Sequence, residues 1–193
     1  MATRALHAFL DGTPVGTVTQ SNHGNLSFSY DNAYADQADP TPLSLSLPLL
    51  SNRHRDKAVR SYLEGLLPDS EGARQRWGRE YNVSPNNPFA LLAHVGRDAA
   101  GAVQLLPPDD DPTDVQSRTG DVQWLSDTDL ADLVQDLTTH QSDWDPGKFG
   151  GRWSLAGAQP KVALFRDAKT GQFGIPRDST PTTVIVKPAV AGY

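Results

Sequence analysis

Two rhythms of hydrophobic placement divide this chain. Leu6, Ala8 and Leu10 alternate with other residues, Asp11-Gly12 offers a tight turn, and Val15-Gly16-Thr17-Val18 follows. Leu26, Phe28 and Tyr30 repeat the period of two, and so do Leu43, Leu45 and Leu47, a run that Pro48 ends. The first third therefore predicts β-strands. Near Asp56 the period lengthens. Val59, Tyr62, Leu63 and Leu66 share one helical face, and Pro68 stops the helix. A second short helix is predicted over 71–81, with Ala73, Trp77 and Tyr81 one turn apart. A third has Asn87 as its cap, Pro88 at its first position, apolar Phe89, Leu91, Leu92 and Val95, and Gly96 at its end. Val103 to Leu106 then predicts a returning strand, which closes a compact α+β unit at about residue 107.

Pro107-Pro108-Asp109-Asp110-Asp111-Pro112-Thr113-Asp114 is linker material, stiffened by proline and extended by charge repulsion. Its four carboxylates lack the glycine and distal glutamate that shape a calcium loop, so a metal site there is disfavoured. Ser126 and Asp129 form a capping box, with Leu125 and Leu130 as a hydrophobic staple. Leu130, Leu133, Val134 and Leu137 continue as an amphipathic stripe, which is core packing rather than chemistry. Three strands are predicted beyond it, at about 161–166, 172–175 and 182–187, the first two joined by a turn from Asp167 to Gly171.

Composition narrows the function. The 193 residues carry 17 Lys and Arg against 23 Asp and Glu, a net charge of −6, with no basic stripe, which disfavours unaided nucleic-acid binding. The absence of cysteine excludes disulfides, thiolate catalysis and cysteine-bound zinc, and suits a reducing, cytoplasmic setting. No apolar run approaches the roughly 20 residues of a membrane helix, so no membrane partner is expected. His7, His23, His54, His94 and His140 show no metal-ligand spacing.

The candidate chemistry lies in Ser154-Leu155-Ala156-Gly157-Ala158-Gln159-Pro160-Lys161 and in Val184-Ile185-Val186-Lys187. Small side chains let backbone amides approach phosphates, and a strand-borne lysine supplies a point charge for them. Taken alone, the small-residue loop reads first as an ordinary turn, for it has a single internal glycine and is neither a Walker loop nor GxGxxG. Lys187 ends a run apolar enough to be buried on both faces. It either meets a phosphate or places its ammonium in water at a strand end. Gln159 and Lys161 could face phosphates, or Lys161 could be a solvated strand residue. Ser154 either bonds the turn backbone or accepts a phosphoryl group, whose charge would repel ATP from the same pocket.

These segments, with LSLSLPL at Leu43–Leu49, GLLPDS at Gly65–Ser70, FALLAHVGRDAAGAVQLLP at Phe89–Pro107, SLAGAQPK at Ser154–Lys161 and TPTTVIVKP at Thr180–Pro188, resemble the N-terminal part of HipA-family serine/threonine kinases. Those enzymes are the toxins of bacterial toxin–antitoxin pairs. The resemblance implies a small β-rich subdomain with helices over 1–107, a linker over 108–119, and over 120–193 the antiparallel sheet that begins a protein-kinase-like N-lobe. By position, Ala156, Gly157, Ala158, Gln159, Pro160 and Lys161 match the family's ATP loop, Lys187 its phosphate-binding lysine, and Ser154 its autophosphorylated serine. Pro160 departs from the usual polar residue and removes one backbone donor.

The resemblance also implies ATP and Mg²⁺ as cofactors of the complete enzyme and a HipB-like helix-turn-helix antitoxin as partner. DNA would be met only through that antitoxin. The substrate would be a protein serine, of the kind found in aminoacyl-tRNA synthetases, whose phosphorylation arrests growth and underlies persistence. The catalytic base and Mg²⁺ ligands belong to a C-lobe, so no catalytic residue is expected in this chain, which would be an inactive segment of a longer kinase. The rival reading is a non-catalytic interaction or antitoxin-like module of a split HipA-type system.

Overall fold

The computed structural model describes residues 4–99, 102–117, 120–139, 161–177 and 179–189. Strands β1 (Arg4–Leu10) and β2 (Thr13–Gln20) form a hairpin whose Asp11 and Gly12 adopt φ of 52° and 80°, the paired left-handed turn that the Asp-Gly dipeptide favours. β3 (Leu26–Tyr30), β4 (Arg53–Arg55) and β5 (Val103–Leu106) complete an antiparallel sheet in the order β4-β3-β2-β1-β5.

The alternation in β1 and β3 places Leu6, Ala8, Phe28 and Tyr30 in one core. Helices α2 (Asp56–Gly65), α3 (Glu71–Glu80) and α4 (Pro88–Val95) contribute Val59, Leu63, Trp77, Phe89, Leu91 and Leu92 to it. Phe28 and Tyr30 meet edge to face at 4.7 Å. The helix signals act as expected. Asn87 Oδ1 accepts from the Ala90 amide at 3.2 Å and also holds Gln20. Gly96 leaves room for the returning strand, since a Cβ there would lie 2.8 Å from the Leu105 Cβ and carbonyl oxygen.

Two expectations for this region are corrected. Leu43, Leu45 and Leu47 do not form a strand: Leu47 is fully buried while Leu45 is 96% exposed. Two phenols decide this. Tyr30 Oη donates to the Leu47 carbonyl (2.6 Å) and accepts from the Leu43 amide (2.9 Å), and Tyr34 on the short helix α1 (Asn32–Ala35) grips both backbone groups of Thr41. Those bonds satisfy the loop backbone without a strand partner. The acidic stretch after Pro107 is not extended either. Residues Thr113–Ser117 fold into helix α5, begun by Asp111 accepting from the Thr113 amide and hydroxyl. Arg97 pairs with Asp110 and Asp114, removing the repulsion, and Val115 is buried with Phe9 and Leu106 on the far face of β1.

A second antiparallel sheet has the order β6-β8-β7-β9: β6 (Val122–Trp124), β7 (Val162–Arg166), β8 (Phe173–Pro176) and β9 (Val184–Val186). Helix α6 (Asp127–Thr139) covers one face, burying Leu133 and Leu137 against Val162, Leu164 and Ile175. Its capping box is reciprocal: the Asp129 amide donates to Ser126 Oγ (3.1 Å) and the Ser126 amide to Asp129 Oδ2 (3.0 Å). Asp167 closes the β7–β8 turn by accepting from the Lys169 and Thr170 amides, and Gly171 takes φ of 77°. The two sheets and their helices make the mixed α+β fold.

Candidate functional site

β7 and β9 run antiparallel with Val162 opposite Val186, Ala163 opposite Ile185 and Leu164 opposite Val184. Val184 and Val186 pack toward α6, so the alternate residue Ile185 lies on the other face, 56% exposed. The run is therefore not buried on both faces: α6 covers the Val184 and Val186 side alone. Lys161 and Lys187 come next beyond the Val162–Val186 pair, on the Ile185 side. Lys161 is half-buried and Lys187 exposed. Burial and the neighbouring Lys187 ammonium hold the Lys161 amine below the ordinary lysine range, while Asp69 pulls the other way. Asp69 belongs to the turn between α2 and α3, so a carboxylate of the first unit reaches the field of the second unit's lysine.

Two ammonium groups on adjacent strands repel, a cost that Asp69 offsets at Lys161 and that a bound anion would offset further. Beyond Ala163, which is fully buried, the same face continues away from the lysines as Phe165 and Trp124, the two rings meeting edge to face at 5.9 Å. A small residue must occupy β8 beneath them: a Cβ on Gly174 would lie 3.3 Å from the Trp124 ring and closer still to Val122. A cationic end beside partly exposed apolar side chains suits an anionic ligand that also carries an apolar portion. A shallow depression between the start of α6 and the β7–β8 turn, lined by Ser126, Asp127, Thr170 and Phe173, lies at the opposite end of β7 and offers no cation.

Of the residues that the sequence singles out, the structure places Lys161 and Lys187 side by side. Ser154, Ala156, Gly157, Ala158, Gln159 and Pro160 lie outside the described residues. Among the described residues, no group of three or more His, Asp or Glu gathers to hold a metal, and no helix is long and apolar enough to cross a membrane. Sequence reasoning missed Asp69 and the ring residues Phe165 and Trp124. Asp69 sat within the GLLPDS segment and carried a signal, whereas Trp124 lies on a three-residue strand too short to show a period.

Comparison with known proteins agrees with this architecture. The family described as "HipA N-terminal domain" matches residues 6–106. The Sinorhizobium fredii protein Y4mE, which carries a kinase name, is 37% identical over 194 residues, covering all of this chain and 45% of its own length. The "Serine/threonine-protein kinase toxin HipA" of Shewanella oneidensis is 31% identical over 147 residues, covering 76% of this chain and 31% of its own. A solved structure of the Shewanella oneidensis toxin–antitoxin complex of HipA, HipB and operator DNA matches with a TM-score of 0.67 at 23% identity, over 92% of this chain and 39% of that one. The chain spans less than half the length of these relatives.

Proposed function

The chain belongs to the HipA N-terminal domain family, and from that premise we propose that it forms the N-terminal subdomain and ATP-binding lobe of a HipA-like serine/threonine kinase, working in the cytoplasm. The observation that carries the reading is the Lys161–Lys187 pair at the end of an apolar sheet face. In this reading Lys187 holds the phosphates, Lys161 closes the other side, and the loop 156–160 presents its amides, with Pro160 withholding one. Ile185 and Phe165, the accessible apolar residues of that face, support the base. ATP supplies the phosphoryl group. Ser154, just ahead of that loop in sequence, is the proposed acceptor, its hydroxyl taking the γ-phosphoryl group as ADP leaves, and its phosphorylation would repel further ATP from the two lysines.

The catalytic aspartate and the Mg²⁺ ligands are contributed from outside these 193 residues, so the chain alone transfers no phosphate. A HipB-like antitoxin is the partner, DNA is reached through it, and an aminoacyl-tRNA synthetase serine is the substrate. The test is a titration of the 193-residue chain with ATP, followed by amide NMR shifts. Shifts confined to the ends of β7 and β9, and abolished in Lys187→Met, are expected. Shifts elsewhere, or an unaltered response in Lys187→Met, would sink the reading, and no response at all would favour an interaction module. Mass spectrometry of Ser154 after incubation with Mg-ATP gives the second readout: no phosphate on the chain alone.

A further inference from the structure

We infer that a closed ring of four residues, Arg97, Asp114, Ser179 and Gln104, is a clasp that couples the lysine-bearing sheet to the N-terminal unit. Ser179 lies in the connection between β8 and β9, eight positions before Lys187, and is buried. Its hydroxyl donates to Asp114 Oδ2 at 2.7 Å and accepts from Gln104 Nε2 at 3.1 Å. The same Gln104 nitrogen donates its other hydrogen to the Arg97 carbonyl at 2.9 Å, and Arg97 Nη1 donates to Asp114 Oδ1 at 2.5 Å. The circuit draws one member from the turn after α4, one from β5, one from α5 and one from the β8–β9 connection of the second sheet.

The ring is saturated. A serine hydroxyl has one hydrogen and Gln Nε2 has two, and all three are used. The carboxylate spends one oxygen on the guanidinium and one on the serine, so the serine bond is charge-assisted. Burial would raise the Asp114 pKa, yet Arg97 and Ser179 together hold it below the ordinary carboxylate range. The backbone fixes how Ser179 is presented. Thr180 donates its amide to the Arg177 carbonyl (3.1 Å), and Arg177 donates its own to the Asp121 carbonyl (2.8 Å). Gly120 is pressed into this turn, where a Cβ would sit 2.3 Å from the Arg177 carbonyl oxygen. Downstream, the Thr183 amide donates to the Leu164 carbonyl and its hydroxyl accepts from the Arg166 amide, which fixes the entry to β9.

Motion of the second sheet away from the first must therefore break a part-buried serine–carboxylate bond, and motion of Ser179 is passed to the strand that leads into Lys187. The clasp makes opening of β7–β9 cooperative with the N-terminal unit, whatever the lysines bind. Hydrogen exchange read by mass spectrometry on the 193-residue chain tests it. Ser179→Asp, which sets a second carboxylate against Asp114, should speed exchange of β7–β9 peptides by about tenfold or more while β1–β3 peptides hold their rate. Ser179→Ala should give a smaller change in the same direction. A ratio of the two regions unchanged by Ser179→Asp would overturn the clasp. Should that variant fail to fold, the Asp114→Asn and Ser179→Ala cycle decides with neutral side chains: non-additive effects on β7–β9 exchange support the coupling, and additive effects overturn it.

Discussion

The five-stranded and four-stranded sheets both bury one face under helices, yet they differ in what happens on the other. In the first sheet the far side of β1 is sealed locally, where Val115 from the segment leaving the unit covers Phe9 and Leu106. In the second, α6 covers one face while Trp124 and Ile185 remain 45% and 56% exposed on the other. The first unit is thus held by a large core of aromatic and branched side chains, and the second by a thin core plus the ring at Ser179. Burial scales with the apolar area removed from water, so the intrinsic stability of the two should be unequal. The lesson is that the sheet bearing the candidate phosphate lysines depends on its neighbour for order.

The largest test of that contrast is a pair of core truncations. Phe28→Ala, in the first unit, should cost about 3–5 kcal/mol, and Leu133→Ala, in the second, about 2–5 kcal/mol. The difference lies in reach. Denaturant unfolding followed by exchange should show Phe28→Ala loosening both sheets, and Leu133→Ala loosening the second while β1–β3 stay protected. The reverse pattern would break the comparison.

Alkaline pH should then distinguish the units. Burial, with a lesser push from Tyr30, raises the Tyr62 phenol to about 12. A raised folded-state value means that the stabilisation is complete below pH 10 and disappears as pH climbs through 12, a loss of roughly 2–3 kcal/mol by linkage. The melting temperature should fall over that window more in the native chain than in Tyr62→Phe. Asp56 runs the other way. The Arg60 guanidinium and the Leu26 amide hold its carboxyl low, so its contribution is lost as pH falls below the usual carboxylate range.

Close approaches give a smaller effect. Gly96→Ala pushes against Leu105, and Gly174→Ala against Val122 and the Gln123 carbonyl. Each should cost about 1–3 kcal/mol, the first read on the α4–β5 packing and the second as faster exchange of β6. Smallest is the cap. Asn87→Ala removes the acceptor for the Ala90 amide and a partner of Gln20, at about 1 kcal/mol by chemical denaturation.

Much of the fold was legible because its signals were local. The Asp11-Gly12 turn, the Asn87-Pro88 cap, the Ser126–Asp129 box and the Asp167–Gly171 turn each follow from a few neighbouring residues, and each sits where expected. The errors arise where a distant group decides. Leu43, Leu45 and Leu47 carry a strand's rhythm, but the Tyr30 phenol 13 or more positions away satisfies their backbone in another shape. The acidic stretch read as repelling charges until Arg97 was brought to it by the turn after α4. Strands β4 and β6, at three residues each, are too short to show a period and exist by pairing alone. At the candidate site the lysines were legible, whereas their registration on neighbouring strands emerges from the β7–β9 ladder.

The phenolic staples of Tyr30 and Tyr34 have one more outcome. They pin the backbone at Thr41, Leu43 and Leu47, while Leu45 between them and Leu50 beyond stand almost wholly in solvent. Those two side chains are displayed on a stiff scaffold, so contacts formed there would surrender little backbone freedom. Phenylalanine at position 30 would leave the leucines in place but turn a rigid display into a floppy one.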